Sequence, residues 1–269
     1  AVRLNTDGSL DTSFGTGGKV IIAVGASDDF AYDMVRLADG RLALAGSSHN
    51  GTDFDYSVVL LTADGALDTS FSGDGKHIFP VGAGTANDIA EAIVVQSDGQ
   101  WVLAGWSSVG VNKFSMARLS PSGALDTTLS GGTGALVVSM GGFNHAAKSV
   151  IQQSDGKLVL AGSHLSDFAF VRLNTDGTPD TTFNGTGQLI LPVGSGQDAC
   201  NSIIQQADGK LVAVGTSNVG GNLDFSVVRL NSDGTLDTSF DTDGKLTVAI
   251  ASAASDSAEC VIQQADGKL

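Results

Sequence analysis

Residues 202–215, SIIQQADGKLVAVG, and residues 225–240, FSVVRLNSDGTLDTSF, decide the fold, because both recur along the chain at a common interval. The first motif is centred on Gly40, Gly99, Gly156, Gly209 and Gly267, and the second on Gly8, Gly65, Gly123, Gly177 and Gly234. Successive copies lie 53 to 59 residues apart. Interleaved repetition at one period marks an array of about five copies of one supersecondary unit.

Each unit reads as four short strands. Ala147 to Gln153 is apolar and β-branched, and Ser154-Asp155-Gly156 turns it, since Asp-Gly supplies a positive φ at little cost. Leu158 to Gly162 is a second strand and Asp167 to Asn174 a third, ended by Asp176-Gly177; Gly187 to Val193 is the fourth. Runs this short, bounded by Gly, Asp and Asn, are strands rather than helices. One such meander has two apolar faces and cannot bury both alone. Stacking copies around an axis covers both faces and leaves only short edges. The expected fold is therefore all-β, a β-propeller of about five four-stranded blades in a single domain over residues 1–269.

The two ends complement each other. Ala1 to Asn5 reads as a third strand, and Gln264 to Leu269 follows the first strand of another copy. Together they make a closing blade shared between the termini. It is incomplete by roughly 14 residues, the length of a second strand and the loop after it. A fragment, or a parent chain with further blades, is the expectation from that shortfall.

Composition narrows the function. The formal charge of −15 disfavours nucleic acid and anionic membranes, which need Lys/Arg surfaces. It favours solubility, cations or basic partners. No apolar run reaches the length of a membrane-spanning helix. The sequence opens Ala1-Val2-Arg3 with no initiator Met or signal-peptide pattern, so processing or truncation is expected to have removed any targeting segment. Few Lys and abundant Ser, Thr, Asn, Asp and Gly fit an extracellular, periplasmic or cell-surface protein.

The units, carried by SIIQQADGKLVAVG and FSVVRLNSDGTLDTSF, resemble the delta-60 repeat family of bacterial β-propeller repeats over essentially the whole chain. That resemblance implies secreted or surface-associated repeat arrays with no assigned activity. Two copies depart from the pattern. The third has Ser122 for the turn Asp and Leu129 for the Phe of D-T-S-F, and the second has Leu60 for the Arg that ends the third strand. Weaker turn contacts are expected there.

Candidate sites follow from the repeat. Asn5, Asp7, Gly8 and Asp11 resemble part of a calcium loop, but Arg occupies the first ligand position in three copies and no Glu closes the loop. A turn with Arg172 paired to Asp180 fits better; Asp237, Asp241 and Asp243 form the best local carboxylate cluster. Phe14, Phe71, Phe183 and Phe240 read as pegs pinning the third-to-fourth-strand connection onto its blade, and the Gln pairs as amide partners near the inner strands. Asp29, Asp88, His145, Asp198 and Asp256 align at the entry to the innermost strand. They are the candidate metal residues, an acidic axial mouth for Ca2+ or another cation, with turn capping as the alternative. The loops after the second strands vary in length and lie on the same face, where His49, Tyr56, Trp106, Asn112, His164 and Asn218 are candidate ligand or partner contacts. Cys200 and Cys260 sit two residues apart in register on neighbouring inner strands, which makes a disulfide geometrically feasible.

No nucleophile elbow, P-loop, H-E-x-x-H or C-x-x-C motif is present. The reading is a non-catalytic interaction module whose partner is another protein or a surface polymer, with no cofactor. A carbohydrate- or cation-binding propeller is the alternative, and a glycosidase-like enzyme a third.

Overall fold

The computed structural model describes residues 1–250 and 254–269. It holds four sheets of four antiparallel strands, each a simple meander. The first blade is β1 (Asp29–Arg36), β2 (Leu42–His49), β3 (Phe54–Leu61) and β4 (Lys76–Phe79). The second is β5 (Asp88–Val95), β6 (Trp101–Ser107), β7 (Lys113–Leu119) and β8 (Ala135–Val138). The third is β9 (His145–Gln152), β10 (Leu158–His164), β11 (Asp167–Leu173) and β12 (Gln188–Leu191). The fourth is β13 (Asp198–Gln205), β14 (Leu211–Val219), β15 (Asn222–Leu230) and β16 (Lys245–Val248). Among the described residues no helix is long and apolar enough to cross a membrane.

The first strands β1, β5, β9 and β13 lie alongside one another and form the inner wall. Each carries a β-bulge, at Tyr32, Glu91, Lys148 and Asn201. The second strand meets it with a glycine: a Cβ on Gly46, Gly105, Gly162 or Gly215 would lie 1.8–1.9 Å from a first-strand carbonyl. Backbone that close leaves room for hydrogen alone.

Between blades, apolar faces interdigitate. Ala43, Tyr56, Val58 and Leu60 of the first blade pack with Ala90, Ile93, Trp101 and Leu103 of the second, and later seams repeat the arrangement. At the inner wall, Asp33, Ser149 and Ser202 accept the backbone N–H of Ile93, Ile203 and Val261 in the following unit.

At the outer edge the pegs do something the sequence reading missed. Phe14, Phe71, Leu129 and Phe183 reach under the turn glycine of the next blade, where a Cβ on Gly65, Gly123, Gly177 or Gly234 would come within 2.9–3.0 Å of them. They pack against their own blade, as Phe71 does in one core with Tyr56, Val58 and Leu60, and they also fasten it to the next. Phe71 also stacks on Trp101 of the next blade at 5.1 Å. Arg172 lies over Phe183, binds Asp180 at 2.6 Å and donates to the carbonyl of Ser232 across the seam. Arg3 and Arg118 reach Ala63 and Thr175 in the same way. Burial, the largest influence, would raise the carboxyl of Asp180, but Thr182, Lys157 and Arg172 outweigh it and hold that group well below the ordinary carboxylate range.

The departing copies are compensated. Where Leu60 replaces the Arg, Asp68 keeps the cation of the preceding turn, Arg41 at 2.9 Å, which stands where Lys157 and Lys210 bind Asp180 and Asp237. Where Ser122 replaces the turn Asp, its hydroxyl bonds that of Ser120 at 2.9 Å. Leu129 is as deeply buried as the Phe it replaces.

A fifth unit is present in two parts that share no strand pairing among the described residues. Phe14, Val20, Ile22 and Val24 pack on Val59 and Leu61 of the first blade. Ala258 and Val261 pack on Val212, Val214 and Val227 of the fourth.

Replacing the fully buried Phe183 by Ala removes the peg at one seam and is expected to cost about 3–5 kcal/mol in urea unfolding. Phe183→Leu, which copies the natural Leu129, should cost clearly less. Equal losses for the two would show that the peg position does not bear the seam.

Candidate functional site

Antiparallel meanders divide the ring into two rims. One rim collects the Asp-Gly turns. The other collects the loops between second and third strands, together with the connectors between blades. Hydrogen bonds join loops to connectors on that second rim. His49 N–H donates to the carbonyl of Asp28 at 3.1 Å, and Asn218 N–H to that of Gln197 at 2.9 Å. His145 N–H reaches Asn112, Asp198 N–H reaches Ser166 and Asp256 N–H reaches Leu223, each at 2.7–2.9 Å and each spanning two units.

The aligned acidic positions serve this architecture. Asp29 accepts the N–H groups of Val24 and Gly25 at 2.9 and 2.8 Å, and Asp88 those of Val81 and Gly82 at 2.7 and 2.9 Å. Asp198 accepts Val193 and Gly194 at 2.7 and 2.9 Å, with the hydroxyl of Ser217 at 2.7 Å. Asp256 accepts Ile250 N–H at 2.8 Å. Burial pushes the Asp29 carboxyl up, but the amides of Val24 and Gly25, the Ser48 hydroxyl and the charge of Lys76 hold it below its usual value. Each side chain closes its own connector, and among the described residues no three His, Cys, Asp or Glu are grouped to hold a metal ion. The expected cation mouth thus resolves into separate caps. The turn acids behave likewise, Asp7 and Asp11 accepting N–H and hydroxyl bonds from Ser9 and Ser13. Asp237 is taken by Lys210, Arg229 and Ser239.

His145 holds the cap position in the third blade and does the work differently. Its Nε2 accepts Met140 N–H at 3.3 Å and its Nδ1 lies 2.7 Å from the carbonyl of Phe143. A proton on Nδ1 satisfies both contacts. The ring stacks on His164 at 5.6 Å. Burial, the largest influence, pulls its pKa below the ordinary value against the two nearby carbonyls.

The bulge residues point to a second role for the inner wall. Glu91 receives Lys148 at 2.5 Å and the indole N–H of Trp106 at 3.2 Å, and Asn201 donates to the carbonyl of Ala258 at 3.0 Å. The Lys148 and Asn201 bonds tie neighbouring units at the axis, and the Trp106 bond holds Glu91 within its own blade. The Gln reading is met in part, since Gln152 and Gln205 accept Ser97 and Ser154 N–H across seams.

The proposed contact residues separate. Tyr56 is not on the rim: it is fully buried, its hydroxyl bonded to Ser115 of the next blade, and burial raises its phenol. It occupies a strand covered on both faces, where alternation does not mark an outward side. Trp106 is half-buried against Glu91, and His164 is largely buried against His145 and Phe143. Asn112 and Asn218 are half-buried and brace connectors. His49 is half-buried with its edge on Phe54 at 5.2 Å. What sequence reading missed is a set of exposed large apolar side chains on this rim: Phe30, Phe143, Leu165 and Val219. The available signal was a bulky residue inside a polar loop or connector, Leu165 even at a φ of 52°.

The cysteines are both free, Cys200 buried and Cys260 exposed. The disulfide reading fails because the bulge at Asn201 falls between their two register positions and turns them to opposite sides. Cys200 faces the third blade, and burial pushes its thiol up to about 12. A thiol-disulfide reagent is therefore expected to label one cysteine in the native protein and both in denaturant; two fast native thiols would contradict the assignment.

Because the folded pKa of His145 is lowered from 6.5, the unfolded chain takes up the proton first. The stability this gives is present above that value and is lost as pH falls below it. His145→Asn keeps a cap acceptor that does not titrate. Its melting temperature should fall less than wild type between about pH 7 and about pH 5, while the half-buried His77 contributes a loss of the same sign in both. Parallel curves would remove His145 from the account.

Comparisons with known proteins complete the picture. Solved structures resembling the chain include a protein of unknown function from Dyadobacter fermentans, 12% identical, covering 79% of this chain and 69% of that one with a TM-score of 0.47. The Cellvibrio cellulosa α-L-arabinanase is 14% identical, with 77% and 72% covered and a TM-score of 0.44. An endo-1,4-β-xylanase from Bacteroides thetaiotaomicron is 11% identical, with 84% and 77% covered and a TM-score of 0.46. No curated protein matches the chain. The family described as a domain of unknown function (DUF5122) beta-propeller matches residues 1–14, 37–71, 96–129, 153–183 and 206–240, following the repeat copy by copy. With more than half of its residues matched in this way, the chain belongs to the DUF5122 β-propeller family.

Proposed function

We propose that this propeller is a non-catalytic interaction module that works outside the cytoplasm and presents its loop-and-connector rim to another protein. The observation that carries the reading is the inequality of the two rims. The turn rim repeats one Asp-Gly pattern, and within the four complete blades it exposes no large apolar side chain among the described residues. The loop rim varies in every blade, its loops spanning 50–53, 108–112, 165–166 and 220–221. It also exposes Phe30, Phe143, Leu165 and Val219. Variable loops held by a rigid frame are the usual carriers of recognition, and exposed apolar residues rimmed by polar ones mark contact surfaces.

Three further features support the reading. The net charge of −15 suits a partner with a basic surface. Three acidic side chains of the inner strands are already engaged, Asp88 and Asp198 by backbone amides and Glu91 by Lys148 and Trp106. The likeness of the repeat to the delta-60 pattern implies secreted or surface-associated arrays.

The test is capture of partners from the native source on immobilised protein. Phe143→Asp with Leu165→Asp should reduce retention of the partner at least about tenfold, the effect of about 1.4 kcal/mol, while Ser122→Lys on the turn rim leaves it unchanged. Loss with the turn-rim variant alone would reverse the assignment of faces. Binding confined to glycans, or turnover of chromogenic glycosides, would replace the reading with a carbohydrate-directed one.

A further inference from the structure

We infer that Asn50-Gly51, in the loop between β2 and β3 of the first blade, is a self-modification site. There the chain closes its own asparagine into a cyclic imide, which water opens to aspartate and isoaspartate, and the product opens the loop. The inference goes beyond partner binding and does not depend on it. It rests on two identical tripeptides placed in different surroundings.

Asn-Gly-Thr occurs at 50–52 and again at 184–186, and both copies are exposed. Glycine after asparagine leaves the attacking backbone nitrogen unhindered. Gly51 also stands at a φ of 109°, where a side chain rarely fits. Around Asn50 the neighbouring groups meet each need of ring closure. The nucleophile, Gly51 N–H, donates to His49 Nδ1 at 3.1 Å. That ring nitrogen therefore carries no proton and is placed to take one. Phe54 meets the imidazole edge-on at 5.2 Å and holds its orientation. Asn50 Oδ1 accepts the N–H groups of Thr52 and Asp53 at 2.8 and 3.1 Å, the paired donors that a developing oxyanion needs.

The step balances with water as the one co-reactant. His49 Nδ1 takes the Gly51 proton as the Gly51 nitrogen bonds to Cγ of Asn50, and Oδ1 carries the charge. Collapse breaks the Cγ–Nδ2 bond, and Nδ2 leaves as ammonia with the proton that His49 held. Water then opens the imide at either carbonyl, giving aspartate or isoaspartate. One amide and one water become one carboxylate and one ammonium, and nothing is oxidised or reduced.

The product undoes the loop. Asn50 Nδ2 donates to Asp53 at 2.5 Å and to Asp55 at 2.7 Å, and both carboxylates are buried. Burial raises the Asp55 carboxyl, the charges of Asp53 and Asp88 add to the rise, and the Asn50 amide is the contact that opposes them. A carboxylate at position 50 removes both donors and sets a third negative charge beside two buried ones, so residues 50–55 have to open. The frame itself does not ask for Asn-Gly. In the fourth blade Asn222 makes the matching contact to Asp224 at 3.0 Å and leads into Leu223. The second Asn-Gly-Thr lacks the catalytic setting. Asn184 Nδ2 donates to the carbonyl of Gln188 at 2.8 Å, and among the described residues no histidine accepts the Gly185 N–H.

The experiment incubates the whole folded chain at neutral pH and follows positions 50 and 184 by peptide mapping, with isoaspartate resolved from aspartate. Asn50 is expected to convert at least about tenfold faster than Asn184, with isoaspartate among its products. In denaturant, where only the shared tripeptide remains, the two rates should converge. His49→Phe keeps an aromatic ring beside Phe54 and should remove the excess at Asn50 while leaving Asn184 unchanged. Asn50→Asp should speed amide exchange at 50–55 and leave β10 as it was. Equal rates at the two sites in the folded chain, or slower conversion of Asn50 folded than unfolded, would overturn the proposal. So would an unchanged rate in His49→Phe, aspartate formed without isoaspartate, or unaltered exchange in Asn50→Asp.

Discussion

A four-stranded meander with apolar side chains on both faces cannot rest against water on either, and that constraint organises everything else in the molecule. β10 and β11 show it most plainly, with Leu158, Val159, Leu160 and Ala161 facing Phe170, Val171 and Leu173, all fully buried. Helices or a second sheet type could cover such faces, but the repeat offers only copies of itself. Each blade therefore becomes the solvent-excluding wall of the next. Burying a side chain of this size is worth about 1.5–3 kcal/mol, and every seam buries several. The polar fastenings are smaller in net effect, since desolvation offsets much of the attraction in a buried ion pair such as Arg172–Asp180. Their contribution is to register. The arginine that crosses to the next blade's carbonyl, and the hydroxyl that meets the next inner strand's amide, fix how far and at what angle one blade turns from its neighbour.

The period and the turn chemistry told most of this in advance. Asp-Gly at fixed intervals, short β-branched runs and recurring Phe are local signals, and four blades formed where they were read. What the repeat concealed is direction. A residue that recurs once per unit can touch its own unit or the following one, and the sequence is the same in either case. Phe183 was read as an internal peg; it does pack under Arg172 of its own blade, but it also lies under Gly234 of the next. Asp88 and Asp198 recur for the same reason, as caps on the connectors, although alignment alone made them resemble a ring of cation ligands. Tyr56 was misplaced by a second ambiguity, because a strand buried on both faces has no outward side for alternation to reveal. The bulge hid the cysteine geometry: one extra residue at Asn201 changes the face on which everything after it stands.

Symmetry also separates frame from function. Side chains that keep step with the period are explained by contacts that keep step with it. Those that break step are not. His145 among aspartates, Phe143 and Leu165 among polar loop residues, and Leu60 among arginines are all departures. At Leu60 the turn aspartate Asp68 still has Arg41, the partner its place has in other copies, so this departure belongs to the frame. The His145 substitution is answered by Met140 and Phe143 and costs the third blade a titratable cap. Phe143 and Leu165 have no such structural counterpart in the other blades, and the proposed contact surface rests on them for that reason.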